Sequence, residues 1–258
     1  MDNLQRVQSV VTAHQILDAL AARPGGCSLS ELARHLDMTP SRVLRHLGTL
    51  VELELIERTG NDPVYRLGIG LVRLATQAAN QHEVGRVAIP ALRRLHDDTG
   101  QAVYLARPQH TSATVWLSFE SAGSPRLTMA PGMTFSLSGS ACGRAILAFS
   151  EPRADLELAS QPDDRFPDPI ATHDELAERL AAIRQRGYDH YGTDLPNAAF
   201  SIAAPVFDHQ GCAVGAIGML GFSLHYHENG DLLLQALVRA AQSVSAQMGY
   251  TGPPIAPA

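Results

Sequence analysis

Thr39-Pro40-Ser41-Arg42-Val43-Leu44-Arg45-His46-Leu47-Gly48-Thr49-Leu50 is the stretch on which the fold turns. Thr39 is a good helix N-cap, and Pro40 at the first helical position gives up an N–H that would have no partner there. Val43, Leu47, Leu50 and Val51 then fall on one side at helical spacing, which makes that side the core face. The opposite side carries Ser41, Arg42, Arg45, His46 and Thr49. Upstream, Val10, Val11, Ile16, Leu17, Leu20 and Ala21 predict an amphipathic helix over residues 7–22, stopped by Arg23-Pro24-Gly25-Gly26. Ser28-Leu29-Ser30-Glu31 opens a second, short helix through Leu36, with a serine cap and a turn at Asp37-Met38. Downstream, residues 55–59 and 64–67 read as two strands joined by the hairpin Gly60-Asn61-Asp62-Pro63.

Three short helices and a two-stranded wing form the winged helix-turn-helix pattern, whose third helix enters the major groove of double-stranded DNA. Arginine suits the guanine edge, and serine or threonine suits phosphates and bases. The expected DNA contacts are therefore Thr39, Ser41, Arg42, Arg45, His46 and Thr49 on the helix, with Arg58 and Arg66 on the wing. A merely solvated helix face is the competing reading, and the ordered set of helices and hairpin weighs against it.

Composition bounds the rest. The chain has 258 residues, enough for a small domain and a medium one. With 45% apolar and 18% charged residues it is an ordinary globular sequence and not a disordered one. The net charge is −6, and residues 1–68 sum to −1, so neither the whole chain nor its first part is basic. All 20 basic residues are arginines. Few phosphate contacts per subunit follow, so useful DNA affinity calls for a dimer or larger assembly. Cys27, Cys142 and Cys212 are far apart, which supports neither a disulfide framework nor a zinc ribbon. Neither a signal peptide nor an apolar run of membrane-spanning length is evident, so the expectation is a cytoplasmic protein without membrane association.

Beyond the wing, residues 71–83 read as a linking helix and residues 84–98, with Pro90, as another. Strand-like runs follow at 102–106, 114–120 and 126–130, an apolar helix at 140–149 and an amphipathic one at 172–186. Strands at 188–193, 201–207 and 212–221 precede a final helix at 231–248. Strands and helices without strict alternation indicate an α+β domain with an antiparallel sheet.

The segments quoted above resemble the IclR family of bacterial transcriptional regulators. Further matches are Val7-Gln8-Ser9-Val10, Leu29-Ser30-Glu31-Leu32-Ala33, Tyr65-Arg66-Leu67-Gly68, the run from Gly132 to Ala148, Arg186-Gly187-Tyr188 and Ile202 to Asp208. The resemblance extends from about residue 7 to residue 248. It implies a winged helix-turn-helix over 1–68, a linking helix over 69–83, a GAF/PAS-like effector-binding domain with an antiparallel sheet over 84–250, and a flexible tail over 251–258. It also implies a homodimer or homotetramer, acting as a repressor of a catabolic operon. Two positions depart from the family: Glu54 replaces the usual glycine after the recognition helix, and Ser136 replaces the usual proline before the sensor helix. The first is expected to end that helix without its left-handed residue, the second to loosen the loop.

In such proteins the effector pocket lies between the loop and helix at 138–144 and the last strands. Here Ser138, Ser140, Ala141 and Cys142 belong to a run of small residues opening a helix, whose free amides suit a carboxylate. The competing reading is a tight turn where only small residues fit. Ser201, Gly218 and Leu220 stand opposite, with Asp189 and Asp194 as flanking hydrogen-bonding groups or plain strand-end charges. Met129, Phe135, Phe200 and Met219 are wall candidates or simple core. Gly218 and Leu220 replace positions often polar in the family, which predicts a roomy, apolar end and a small organic acid, aromatic ahead of aliphatic, as effector. Enzymatic readings are weak. His225-Tyr226-His227-Glu228 reads as a solvated loop lacking a third metal ligand, and Gly221-Phe222-Ser223-Leu224-His225 lacks the final glycine of a nucleophile elbow. Neither a cofactor nor catalysis is expected. The alternative function is a small-molecule-binding protein whose N-terminal helices serve only dimerisation.

Overall fold

The computed structural model describes residues 7–58, 64–81, 83–110, 112–123, 125–150, 170, 172–192 and 199–253. The chain divides into two compact units, residues 1–80 and 81–258.

In the first unit, α1 (Gln8–Ala21) is followed by β1 (Cys27–Ser28), α2 (Leu29–His35), α3 (Pro40–Glu52), β2 (Ile56–Arg58) and β3 (Val64–Leu67). Ser28 caps α2 in a full capping box: its side chain accepts from the Glu31 amide, and the Glu31 carboxylate accepts from the Ser28 amide at 2.8 Å. Thr39 caps α3 through backbone geometry alone, with Pro40 next. Ile16, Leu20, Leu32, Val43, Leu47, Leu50 and Ile56 form the core of this unit. β1 pairs with β3 as well as β2 does, so the wing is a three-stranded sheet in the order β1-β3-β2. The hairpin at 60–63 lies outside the described residues.

The end of α3 differs from expectation. Glu54 itself adopts the left-handed conformation at φ 58°, where glycine is favoured, so the turn keeps its shape without its usual residue. Gly68 and Gly70 lie against it; a Cβ on Gly68 would stand 2.3 Å from the Glu54 carbonyl oxygen. The Glu54–Arg73 ion pair at 3.0 Å is exposed on both sides and adds little. Glu54→Gly should therefore stabilise this unit by about 0.5–1 kcal/mol, the relief of left-handed strain less the added freedom of the unfolded chain. Denaturant unfolding of the variant beside wild type measures it, and a lower midpoint would contradict the strain argument. α4 (Ile69–Gln81) follows, with Ile69, Val72 and Leu74 more than half exposed.

The second unit starts with α5 (Glu83–Thr99), then β4 (Ala102–Gln109), β5 (Ser112–Phe119), β6 (Thr134–Ser136), α6 (Ala141–Leu147), α7 (His173–Arg186), β7 (Asp189–Tyr191), β8 (Ala199–Phe207), β9 (Ala213–Phe222) and α8 (Ser223–Gln247). The strands form one antiparallel six-stranded sheet in the order β6-β5-β4-β9-β8-β7. Alternation along the strands splits the core into two layers. Val103, Leu105, Phe200, Ile202, Ile217 and Met219 face α5 and α8. Tyr104, Ala106, Val115, Phe135, Ala203 and Ala216 face α6.

Two expected elements are placed differently. Residues 126–130 are not a strand, because Leu127 and Ser121 bond each other's backbone and side chain instead of a neighbouring strand. The edge beside β5 is taken by β6, which buries Phe135. The final helix begins eight residues early, at Ser223, and bends at Asn229, whose φ of −135° is not helical. His225, His227 and Glu228 are thus exposed helix positions rather than a loop.

Candidate functional site

Each unit presents one surface of interest. In the first, Val43, Leu47 and Leu50 anchor α3 to the core and leave Ser41, Arg42, Arg45 and Thr49 exposed, with Thr39 exposed at the cap. The Thr49 hydroxyl donates to the Arg45 carbonyl at 3.4 Å, which leaves the Arg45 side chain unaffected. His46 departs from the expected face: adjacent to Leu47 on the helix, it lies on the flank and is half-buried. On the wing, Arg58 is exposed, with its guanidinium 5.9 Å above the Tyr65 ring, and Arg66 is half-buried. The exposed Arg42 and Arg45 concentrate positive charge on a unit that has none to spare overall, which suits a polyanion approaching from that side.

In the second unit the register of β4, β9, β8 and β7 lines up two rows of side chains under α6. Tyr104 pairs with Gly218, Gly218 with Ala203, and Ala203 with Asp189. One step along, Ala102 pairs with Leu220, Leu220 with Ser201, and Ser201 with Tyr191. Glycine and alanine in the middle of the first row let α6 approach the sheet closely.

α6 is held in place by its own loop. The Ser140 hydroxyl accepts from the Gly143 amide at 3.0 Å and donates to the Ser136 carbonyl at 3.0 Å, so it caps the helix. A Cβ on Gly143 would stand 2.5 Å from two loop carbonyls, which makes the run of small residues a packing requirement as well. Ser136, where the family has proline, tightens the loop instead of loosening it: its hydroxyl accepts from the amides of Ser138 and Gly139 at 3.2 and 3.3 Å. Ala141 and Cys142 keep the two amides that a helix start leaves without an intrahelical acceptor.

Asp189, the charge at the start of β7, is drawn into a buried ion-pair cluster. It is fully buried, and its two oxygens are taken by three arginines: Arg144 at 2.5 Å on one, Arg179 at 2.8 Å and Arg186 at 2.7 Å on the other. Arg144 is fully buried too, and donates to the Ser138 carbonyl at 3.2 Å, which ties α6, α7 and β7 together. Among the described residues its Nη2 is buried without a partner.

The roomy, apolar end expected at Gly218 is not there. A Cβ on Gly218 would stand 2.3 Å from Cζ of Tyr104 and 2.7 Å from Sγ of Cys142, so the phenol and the thiol fill that space. The Tyr104 hydroxyl and the Cys142 thiol converge on Gly218, with Ser201 close by. Burial pushes the Tyr104 phenol well above its usual range and the Cys142 thiol up to about 12, so both are neutral and the thiol is unreactive. Phe135 meets the Tyr104 ring edge-on at 6.4 Å, and Met129 and Tyr191 pack half-buried against the same cluster. Leu220 is half-buried in the second row, between Ala102 and Ser201. Phe200 and Met219 are core of the opposite face and wall nothing here. Asp194 lies outside the described residues. Sequence reasoning missed Tyr104, Tyr191, Arg179 and Arg186. Strand alternation gives Tyr104 one face of the sheet, but only the structure sets that face under α6 and its ring over a glycine.

Among the described residues, no three His, Cys, Asp or Glu side chains cluster as a metal site, and no helix is long and apolar enough to cross a membrane.

Comparison with known proteins agrees with this two-part organisation. Residues 9–60 match the IclR helix-turn-helix domain, and residues 76–246 match the bacterial transcriptional regulator IclR C-terminal domain. The HTH-type transcriptional regulator BhcR of Paracoccus denitrificans is 30% identical over 94% of this chain and 88% of its own length. The crystal structure of an IclR transcriptional regulator from Alicyclobacillus acidocaldarius superposes with a TM-score of 0.80 at 26% identity, over 95% of this chain and 100% of that one. An IclR homologue from Microbacterium hydrocarbonoxydans, crystallised with 4-hydroxybenzoate, has the same TM-score at 19% identity, over 93% of this chain and 98% of its own, and shares the fold.

Proposed function

The chain belongs to the IclR family of bacterial transcriptional regulators, which are not enzymes, and from that premise we propose how its two units divide the task. The first, winged helix-turn-helix unit reads operator DNA through Arg42 and Arg45, with Thr39, Ser41, His46, Thr49, Arg58 and Arg66 positioning it on the backbone and groove edges. The observation that carries this reading is the exposed pair Arg42 and Arg45 on a helix whose other face is fixed in the core.

The second unit binds a small organic acid between α6 and the two side-chain rows. The carboxylate meets the Ala141 and Cys142 amides, and Ser201 supplies a hydrogen bond, with Ser138, Leu220, Met129 and Phe135 around it. The complex of a distant neighbour with 4-hydroxybenzoate supports an organic acid as the ligand class. Occupancy of this site changes DNA affinity by linkage, so the acid releases or recruits the regulator at a catabolic operon, and release is the repressor case. The linking helix and tail boundaries, 69–83 and 251–258, belong to the same proposal.

The working form is a dimer or a tetramer of it. Val7 and Val10 before and in α1, and Ile69, Val72 and Leu74 on α4, leave apolar side chains more than half exposed, which suits coverage by a second copy. With so few arginines per unit, one copy alone holds DNA weakly. Light scattering should give at least a dimer, and a footprint on DNA recovered from the protein's own genome should contain two symmetry-related half-sites. A monomer binding one half-site tightly would sink the assembly argument. Ligand binding without any DNA shift would favour the alternative of a small-molecule-binding protein.

A further inference from the structure

We propose that Tyr104 sets the size limit of the effector site: its ring, lying across Gly218, restricts the ligand to short aliphatic acids and keeps aromatic acids out. This rests on the reading that the effector binds between α6 and the sheet. Three observations carry it.

The first is volume. Tyr104 and Gly218 are direct cross-strand partners, and the absent side chain at 218 is what lets the phenol lie down over β9. A Cβ there would meet the ring at 2.3 Å and the hydroxyl at 2.6 Å. A benzoate ring is the same size and shape as this phenol, so only one of the two fits over Gly218.

The second is position. The hydroxyl of Tyr104 lies beside Cys142 on the helix and close to Ser201 on the sheet, the two sides between which a ligand must sit. An aromatic acid entering at that depth must expel a side chain that is only 4% exposed. A short acid at the mouth of α6 leaves it in place.

The third is rigidity. Phe135 stands edge-on to the ring, and Ala141, Cys142 and Ala145 close over the same cluster. Side chains in such close packing change rotamer only when their neighbours give way.

The test is calorimetry of the full-length protein with pyruvate, glyoxylate, benzoate and 4-hydroxybenzoate, run on wild type, Y104F, Y104A, Y104L and S201A. Wild type should take one of the two short acids and bind both aromatic acids at least about 30-fold more weakly, a difference of ~2 kcal/mol. Y104A should reverse that order, because 4-hydroxybenzoate supplies the missing ring and hydroxyl. Y104F should keep the exclusion, since the ring remains. If Y104A does not fold, Y104L retains apolar bulk while vacating the far end of the ring, and its gain in aromatic binding reads the same thing. Wild type binding 4-hydroxybenzoate as tightly as Y104A or Y104L overturns the proposal. In that case a loss of binding in S201A would still leave the site where it is. Acids that bind wild type, S201A and both Tyr104 truncations equally would place the ligand elsewhere and overturn the site reading itself. A wild type that takes none of the four acids, with no gain in either truncation, overturns the size limit too.

Discussion

Asp189→Ala should cost about 3–5 kcal/mol of stability, the usual result of removing one partner from a buried ion pair. The loss arises at Arg144. Its guanidinium is fully buried, and without the carboxylate its one acceptor among the described residues is the Ser138 carbonyl at 3.2 Å. Arg179 and Arg186 keep 27% and 21% side-chain exposure, so both can turn to water when the carboxylate goes. The asymmetry gives a second expected result. Arg144→Met costs less than Asp189→Ala, because Arg179 and Arg186 still neutralise the carboxylate. The double variant R144M/D189L should recover much of the loss, since apolar groups of similar volume replace a buried pair at little or no net cost. Denaturant unfolding of wild type, D189L, R144M and R144M/D189L closes a double-mutant cycle whose coupling energy belongs to the pair. A loss below about 1 kcal/mol for Asp189→Ala would mean that water reaches the cluster, since exposed pairs are worth no more than that. Against a typical domain stability of about 5–15 kcal/mol, the expected loss is large enough to lower the amount of folded protein in cells.

The second large effect concerns DNA. Replacing Arg42 or Arg45 by alanine should weaken operator binding by about 1–3 kcal/mol each if each reads a base, and the pair together by up to two or more orders of magnitude. Both are exposed, so the fold should be untouched and circular dichroism unchanged. The way the affinity falls separates two roles. Loss of a base-reading arginine relaxes preference at one operator position. Loss of a phosphate contact weakens all sequences alike and lowers the salt slope by about one. R42A/R45A binding its operator at wild-type affinity would remove α3 from the groove. The effect should be larger in the assembled protein than in one unit, because each copy contributes the same contacts to a shared site.

Local chemistry decided much of this protein from the sequence alone. Thr39-Pro40 fixed where α3 starts, and the spacing of Val43, Leu47 and Leu50 fixed which face is left for DNA. Ser28 and Glu31 announced a capping box that the structure contains. These are signals between residues within a few positions of each other, where cap geometry and helical period act without reference to the rest of the chain. Even Glu54 shows the limit of such rules: packing against Gly68 and Gly70 holds it left-handed although its own preference is otherwise. The effector site is the opposite case. Which residue lies over Gly218, whether Asp189 meets a ligand or Arg144, and whether 126–130 or 134–136 takes the edge of the sheet are set by pairings across 20 to more than 100 positions of chain. Alternation gives a strand residue its face but not its neighbour across the sheet; that neighbour depends on register, and register is chosen by the packing of the whole sheet against α5, α6 and α8.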